Sequence, residues 1–211
     1  MINFIVNHWV FGVGFLAQAF FGLRILVQWR LAEKQGKTVS PVEFWVLSLM
    51  GSTLFLWYGV LRHDVVIVLG QLIGYAIYVR NLQLKNMWTK LHRLIRSFVI
   101  LMPVIATGVG LYNFPSSTLI ELVTNRHWSY LTLIGMVGQL LLNFRFVYQL
   151  YCSEKRKESV LPMVFWKLSI AGSLLSIVYA LYREDPVLLL AQGLAIIPYS
   201  RNVILLKKSD D

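Results

Sequence analysis

Ser40-Pro41-Val42-Glu43-Phe44-Trp45-Val46-Leu47-Ser48-Leu49-Met50-Gly51-Ser52 recurs 121 residues later as Leu161-Pro162-Met163-Val164-Phe165-Trp166-Lys167-Leu168-Ser169-Ile170-Ala171-Gly172-Ser173. The match runs without a gap from Gly14–Leu84 onto Gly135–Leu205, and about 25 of the 71 aligned pairs are identical. Gln18, Arg24 and Gln28 meet Gln139, Arg145 and Gln149, and Tyr58, Arg62 and Asp64 meet Tyr179, Arg183 and Asp185. Further on, Gln71, Tyr78, Arg80 and Asn81 meet Gln192, Tyr199, Arg201 and Asn202. Apolar pairs coincide by composition in a chain that is 57% hydrophobic; polar pairs at these spacings do not. The chain is an internal repeat.

The repeat sits in the sequence of a membrane protein. Only 14% of its 211 residues are charged and its mean hydropathy is +0.62, whereas a soluble domain carries about 25% charged residues. Apolar spans of about 20 residues, the length that crosses about 30 Å of hydrocarbon, fall near 8–30, 42–61, 65–84, 98–114, 129–151, 163–182 and 186–206. Residues 1–8 hold no Lys or Arg and no small-residue cleavage site, so they read as the start of a retained first span. One cysteine, Cys152, excludes a disulfide framework, and His8, His63, His92 and His127 lack ligand spacing. Neither a metal nor another cofactor is expected.

The formal charge of +10 is unevenly placed. Arg30, Lys34, Lys37, Arg80, Lys85, Lys90, Arg93, Arg96, Lys155, Arg156, Lys157, Arg201, Lys207 and Lys208 fall on one side of the seven spans, and only Arg62, Arg126 and Arg183 on the other. This asymmetry puts the N-terminus outside and the C-terminus in the cytoplasm. Topology accounts for the charge, and no nucleic-acid partner is expected.

Three spans make one copy of the repeat and one span separates the copies. The expected architecture is all-α: seven transmembrane helices arranged as two parallel three-helix bundles plus a connector. Residues 1–84 form the first repeat, 85–128 an interfacial helix and the connector, and 129–211 the second repeat. Four crossings lie between the starts of the copies, so both have the same orientation and are related by a pseudo-two-fold axis along the membrane normal. Residues 85–97 place Met87, Trp88, Leu91, Leu94 and Ile95 on one helical face and Lys85, Lys90, Arg93 and Arg96 on the other, the pattern of a helix lying on anionic lipid.

Several paired residues have plain structural readings. Ser40, Pro41 and Glu43 form a capping box, Asp64 and Asp185 read as N-caps, and Arg62 and Arg183 as their local ion partners. Gly51-Ser52 and Gly172-Ser173 allow close helix contact. Arg24 and Arg145 differ, because each lies about six residues, or about 9 Å, inside the cytoplasmic end of its span. Helical side chains tilt toward the N-terminus, here outward, which opposes snorkelling to the cytoplasm. An arginine at the centre of a transmembrane helix costs about 2.5–3.5 kcal/mol on insertion scales. Two such arginines suit an anion, since guanidinium forks match phosphate and carboxylate; the alternatives are an interhelical hydrogen bond or a reach to headgroups. Gln28 and Gln149 share that face one turn on. In the third span of each copy, Gln71, Tyr78 and Asn81, matched by Gln192, Tyr199 and Asn202, line about one helical face and read as cavity lining. No nucleophile–base pair, carboxylate pair or phosphate loop is visible, and enzymatic activity is not expected.

Arg24-x3-Gln28-Trp29, then Ser40-Pro41-x2-Phe44-Trp45-x2-Ser48-x2-Gly51-Ser52, continuing through Tyr58, Arg62-x-Asp64, Gly70-Gln71 and Tyr78-x-Arg80-Asn81, resembles the lipid A biosynthesis N-terminal domain family. That membrane module is named for preceding lipid-A-disaccharide synthase in some bacterial proteins. The resemblance covers both repeats. In the second copy Ser40 becomes Leu161, Gly70 becomes Ala191 and Trp29 becomes Leu150, so a shared site is asymmetric. The family is in turn similar to SWEET carriers, PQ-loop transporters and KDEL receptors, which have a three-plus-one-plus-three architecture. The resemblance implies a bacterial inner-membrane protein, N-terminus periplasmic, connected with lipid A or lipopolysaccharide. The expected function is a carrier or flippase for an anionic lipid-linked sugar or lipid A intermediate. Arg24 and Arg145 would hold phosphate, and Gln28, Gln149, Gln71, Gln192, Tyr78, Tyr199, Asn81 and Asn202 would contact sugar hydroxyls. The ligand would be a membrane lipid or a polyprenyl-phosphate-linked sugar. The alternative is a non-transporting partner that presents lipid to a separate membrane glycosyltransferase.

Overall fold

The computed structural model describes the backbone of residues 2–62, 65–113, 130–182 and 186–210. Among these residues there are seven α-helices: α1 (Ile2–Gln35), α2 (Val42–Leu61), α3 (Val65–Leu84), α4 (Arg93–Asn113), α5 (Tyr130–Arg156), α6 (Met163–Tyr182) and α7 (Pro186–Asp210). No strand occurs among the described residues. Among the described residues α1, α2, α4, α5, α6 and α7 each hold a stretch long and apolar enough to cross a membrane. This is an all-α membrane protein. The caps expected at Asp64 and Asp185, and the partner expected for Arg183, lie outside the described residues; Arg62 sits 5.0 Å from the Phe11 ring centroid.

One segment departs from the sequence reading. Instead of an interfacial helix over 85–97, α3 stops at Leu84 and Asn86 takes a left-handed φ of 54°. A single 3-10 turn, Trp88–Lys90, follows, and α4 begins at Arg93. The left-handed residue breaks the helix, so the amphipathic pattern belongs partly to a turn and partly to the first turn of α4. Pro103 is carried inside α4, where Thr107 donates to its carbonyl at 2.7 Å.

The chain packs as two compact units, residues 1–23 with 45–125 and residues 24–44 with 126–211. The border between them falls inside the first repeat, within α1 and at the start of α2. In the first unit Gly51 lies under the Phe21 ring and the Ala17 carbonyl, and Gly14 against the Tyr58 ring. Phe55 stacks on Tyr58 at 5.3 Å and meets Phe21 edge-on at 6.1 Å. Leu56, Val60, Val68 and Ala106 form a core joining α2, α3 and α4. In the second unit α6 lies beside both α5 and α7. Gly138 and Gly172 approach closely, since a Cβ on Gly172 would stand 2.9 Å from the Gly138 carbonyl oxygen.

The two copies of the repeat make the same contacts. Ser52 donates to Gln71 Oε1 at 2.9 Å, and Ser173 to Gln192 Oε1 at 2.8 Å. The Trp45 and Tyr78 rings lie 6.2 Å apart at 40°, and those of Trp166 and Tyr199 5.9 Å apart at 45°. Asn81 donates to the Ile77 carbonyl at 2.9 Å, as Asn202 does to that of Pro198 at 2.8 Å. Both first helices end on a left-handed residue at aligned positions, Gly36 at φ 64° and Lys157 at φ 56°. The second accepts a left-handed side chain where glycine would relieve it.

Candidate functional site

α1 contributes Arg24 and, four residues on, Gln28; α5 contributes Arg145 and Gln149 at the same spacing. Four residues is about one helical turn, so each pair shares a face. Arg24 and Arg145 are 6% and 7% exposed, and both amides are fully buried. Both arginines are buried within protein.

Aromatic rings enclose the two guanidiniums. Arg24 Cζ lies 5.3 Å from the Phe44 centroid and 5.2 Å from that of Phe146. Arg145 Cζ lies 4.9 Å from the same Phe146 ring, 5.2 Å from Phe165 and 5.3 Å from Tyr199. Sharing one ring at about 5 Å each puts the two cationic carbons within about 10 Å of one another. Desolvated cation–π contacts of this kind contribute roughly 2 kcal/mol each. Each cation lies over ring faces, and its N–H donors lie in the guanidinium plane.

Those donors are only partly used. Arg145 Nη1 donates to Ser169 Oγ at 2.7 Å, and Ser169 Oγ in turn donates to the Phe165 carbonyl at 2.6 Å. Arg145 Nε and Trp166 Nε1 are buried without a hydrogen-bond partner. A buried donor left unmade costs about 1–3 kcal/mol, more when charged. Both line a small pocket with Arg24, Ile25, Phe44, Phe146, Phe165 and Tyr199. Its lining has two guanidiniums and an indole N–H and no carboxylate. The free space is about 10 Å³, room for about one water. The pocket is donor-rich, cationic and nearly closed.

An amide layer adjoins it. Gln28 Nε2 donates to Asn202 Oδ1 at 2.7 Å, and Asn202 Nδ2 returns a bond to Gln28 Oε1 at 3.1 Å. Gln28 also donates to the Val39 carbonyl at 3.3 Å, and Thr38 to Asn202 Oδ1 at 3.4 Å. The hydroxyls of Ser40 and Ser159 meet at 2.9 Å, joining the two helix–helix loops. Gln149 donates to Ser153 Oγ at 2.7 Å and to the Val160 carbonyl at 2.9 Å. Beyond the amides, Arg201 makes a two-point ion pair with Glu33, and Trp29 donates to Glu33 Oε1 at 3.0 Å. Among the described residues no three His, Cys, Asp or Glu side chains lie close enough to share a metal ion.

Of the residues selected from sequence, the structure gathers Arg24, Gln28, Arg145, Gln149, Tyr199 and Asn202 in the second unit. Gln192, in that unit, is engaged by Ser173 of its own repeat. Gln71, Tyr78 and Asn81 belong to the first unit, where Gln71 is engaged by Ser52 and Tyr78 packs on Trp45. The sequence reading passed over the walls of the pocket. Phe44, Phe165 and Trp166 were visible in the repeated Phe-Trp pair, but Phe146 has Ile25 as its counterpart and carries no signal of its own.

Comparison with known proteins agrees with the repeat. The model of the Lipid A Biosynthesis N-terminal domain matches residues 13–83 and again residues 134–204. The chain belongs to that family. It is 29% identical over 203 residues to a lipid-A-disaccharide synthase of Chlamydia pneumoniae, covering 94% of this chain and 34% of that protein. A Chlamydia muridarum protein of the same name is 30% identical over 213 residues with the same coverage, and a Chlamydia felis one 27% over 210 residues, covering 95% and 34%. The chain thus spans about a third of the length of these relatives, and it is a membrane module linked to lipid A biosynthesis. No solved structure matches it.

Proposed function

We propose that this chain binds a phosphate-bearing lipid of lipid A biosynthesis, with Arg24 and Arg145 holding the anion. One observation carries the reading: two buried guanidiniums share the Phe146 ring in a pocket that offers donors and no carboxylate. Two unit charges about 10 Å apart repel by roughly 2 kcal/mol at an effective dielectric near 20. An anion midway, about 5 Å from each, gains about 3 kcal/mol with each, which offsets a desolvation penalty of several kcal/mol. Arg145 Nε and Trp166 Nε1 then acquire the acceptors they lack.

The pocket, with free space for about one water, must widen to take a phosphate, as a carrier's site does when it opens. The Gln28–Asn202 pair lies one turn further along α1. When it opens, its amides, with Gln149 and Tyr199, meet sugar hydroxyls. Gln71, Gln192, Tyr78 and Asn81 support the helices that frame the path. The reading places the protein in the bacterial inner membrane, N-terminus periplasmic and C-terminus cytoplasmic, moving an anionic lipid-linked sugar or lipid A intermediate between leaflets and forming no glycosidic bond itself.

A second reading is favoured by the relatives, in which the matching segment is about a third of a protein named as a synthase. There the module presents lipid to a glycosyltransferase without moving it. Liposomes containing the purified chain and a labelled polyprenyl-phosphate sugar or lipid A precursor separate the two. Translocation lost in Arg24→Ala and Arg145→Ala supports the carrier, and tight binding without translocation supports presentation. Absence of binding, or glycosidic product without a partner enzyme, contradicts both.

A further inference from the structure

Two amides of α5 take no part in the pocket. Gln139 and Asn143 are exposed and lie one helical turn apart, Asn143 near the middle of the span Leu133–Arg156. Hydrocarbon offers neither amide a partner, and polar side chains at such depth ordinarily face protein.

The residues around them form a seam. Leu133, Met136, Leu140, Asn143 and Val147 recur at alternating spacings of three and four, and the apolar four are 41%, 39%, 64% and 44% exposed. A three-four seam is the one that meets another helix at a shallow left-handed crossing. A single polar residue at a seam position is the device that fixes register between like helices. An amide both donates and accepts, so Asn143 is complementary to another Asn143. Every copy inserts with the same orientation, so two α5 helices meet in parallel about a two-fold axis along the membrane normal. In the first repeat the position of Asn143 is taken by Gly22, so α1 does not duplicate the device.

We propose that the chain self-associates through α5, the partner being a second copy whose Asn143 pairs with the first and whose Gln139 flanks the seam. This rests on the exposed amides alone and stands apart from the lipid reading. The test is energy transfer between donor- and acceptor-labelled full chains in phosphatidylcholine vesicles over a range of protein-to-lipid ratios. The expected result is ratio-dependent association of the wild type, weakened at least about ten-fold in Gln139→Leu/Asn143→Leu. Leucine on an exposed face of a membrane helix leaves the interior packing untouched. As a measurement independent of stability, Asn143→Cys in a Cys152→Ser background forms a disulfide-linked dimer on mild oxidation, and Leu174→Cys, exposed on α6, does not. A wild type monomeric at every ratio, unchanged association in the double variant, or equal cross-linking from both cysteines overturns the proposal.

Discussion

Gln28 and Asn202, 174 positions apart in sequence, exchange two hydrogen bonds of 2.7 and 3.1 Å with both side chains fully buried. One residue comes from the first copy of the repeat and the other from the second, so the pair ties the C-terminal half of α1 to α7. Truncating either partner leaves a buried amide short of a bond, at about 1–3 kcal/mol. We expect Gln28→Leu and Asn202→Leu each to lower stability by that amount. The double variant should fall short of the sum by about 0.6–1.7 kcal/mol, the range of interhelical coupling in membranes. Denaturation in mixed micelles, analysed as a double-mutant cycle, checks it.

The serine–glutamine bonds are equivalent in the two copies, 2.9 Å in one and 2.8 Å in the other. Ser52→Ala and Ser173→Ala are expected to destabilise by similar amounts, about 0.6 kcal/mol each. A difference above about 1.5 kcal/mol, measured in the same micelles, contradicts the structural equivalence of the repeats.

Glycines rank by what a methyl group would meet. At Gly135 a Cβ would stand 2.5 Å from Tyr179 Cγ, at Gly14 it would stand 3.0 Å from Tyr58 Cε2, and at Gly22 nothing lies within 4 Å. Overpacking costs typically 1–3 kcal/mol. The expected order of destabilisation is Gly135→Ala, then Gly14→Ala, with Gly22→Ala neutral or slightly stabilising. Thermal unfolding of the three variants reads the order directly.

Lys157 holds a left-handed conformation where its counterpart is Gly36. The left-handed region costs a side chain roughly 1–2 kcal/mol. Lys157→Gly is therefore expected to stabilise by about 1 kcal/mol, and Gly36→Lys to destabilise by a similar amount. Thermal unfolding in detergent tests both signs.

The repeat makes most of this fold legible in the sequence. Among the described residues each apolar stretch holds one helix, and the burial of Arg24 and Arg145 matches their depth and recurrence in the sequence. What stayed hidden depends on partners rather than on pattern. Gln71 and Gln192 look like cavity lining from their helical face, yet a serine on the preceding helix of the same repeat engages each. Phe146, the ring between the arginines, has no counterpart in a search for matched pairs. Residues 85–97 carry the right amphipathic period for a surface helix, but one left-handed residue, Asn86, ends α3 and redirects the chain. Periodicity shows which face is apolar and does not show where the helix is interrupted.

The central claim is that the ring-walled pocket of Arg24 and Arg145 holds the anion of a lipid. It is tested most directly by equilibrium binding of a labelled polyprenyl-phosphate, and of the uncharged polyprenol as control, to the chain in phosphatidylcholine nanodiscs. We expect saturable binding of the phosphate lipid and at least about ten-fold weaker binding of the alcohol. Arg145→Lys retains the charge but loses the planar fork and the ring stacking, and is expected to weaken phosphate binding about ten-fold or more. Trp166→Phe, which removes the buried indole N–H together with part of the ring, should weaken it by roughly ten- to a hundred-fold, the worth of about one hydrogen bond to a charged group. Equal affinity for the phosphate and the alcohol, or phosphate binding unchanged in folded Arg24→Lys and Arg145→Lys, contradicts the account.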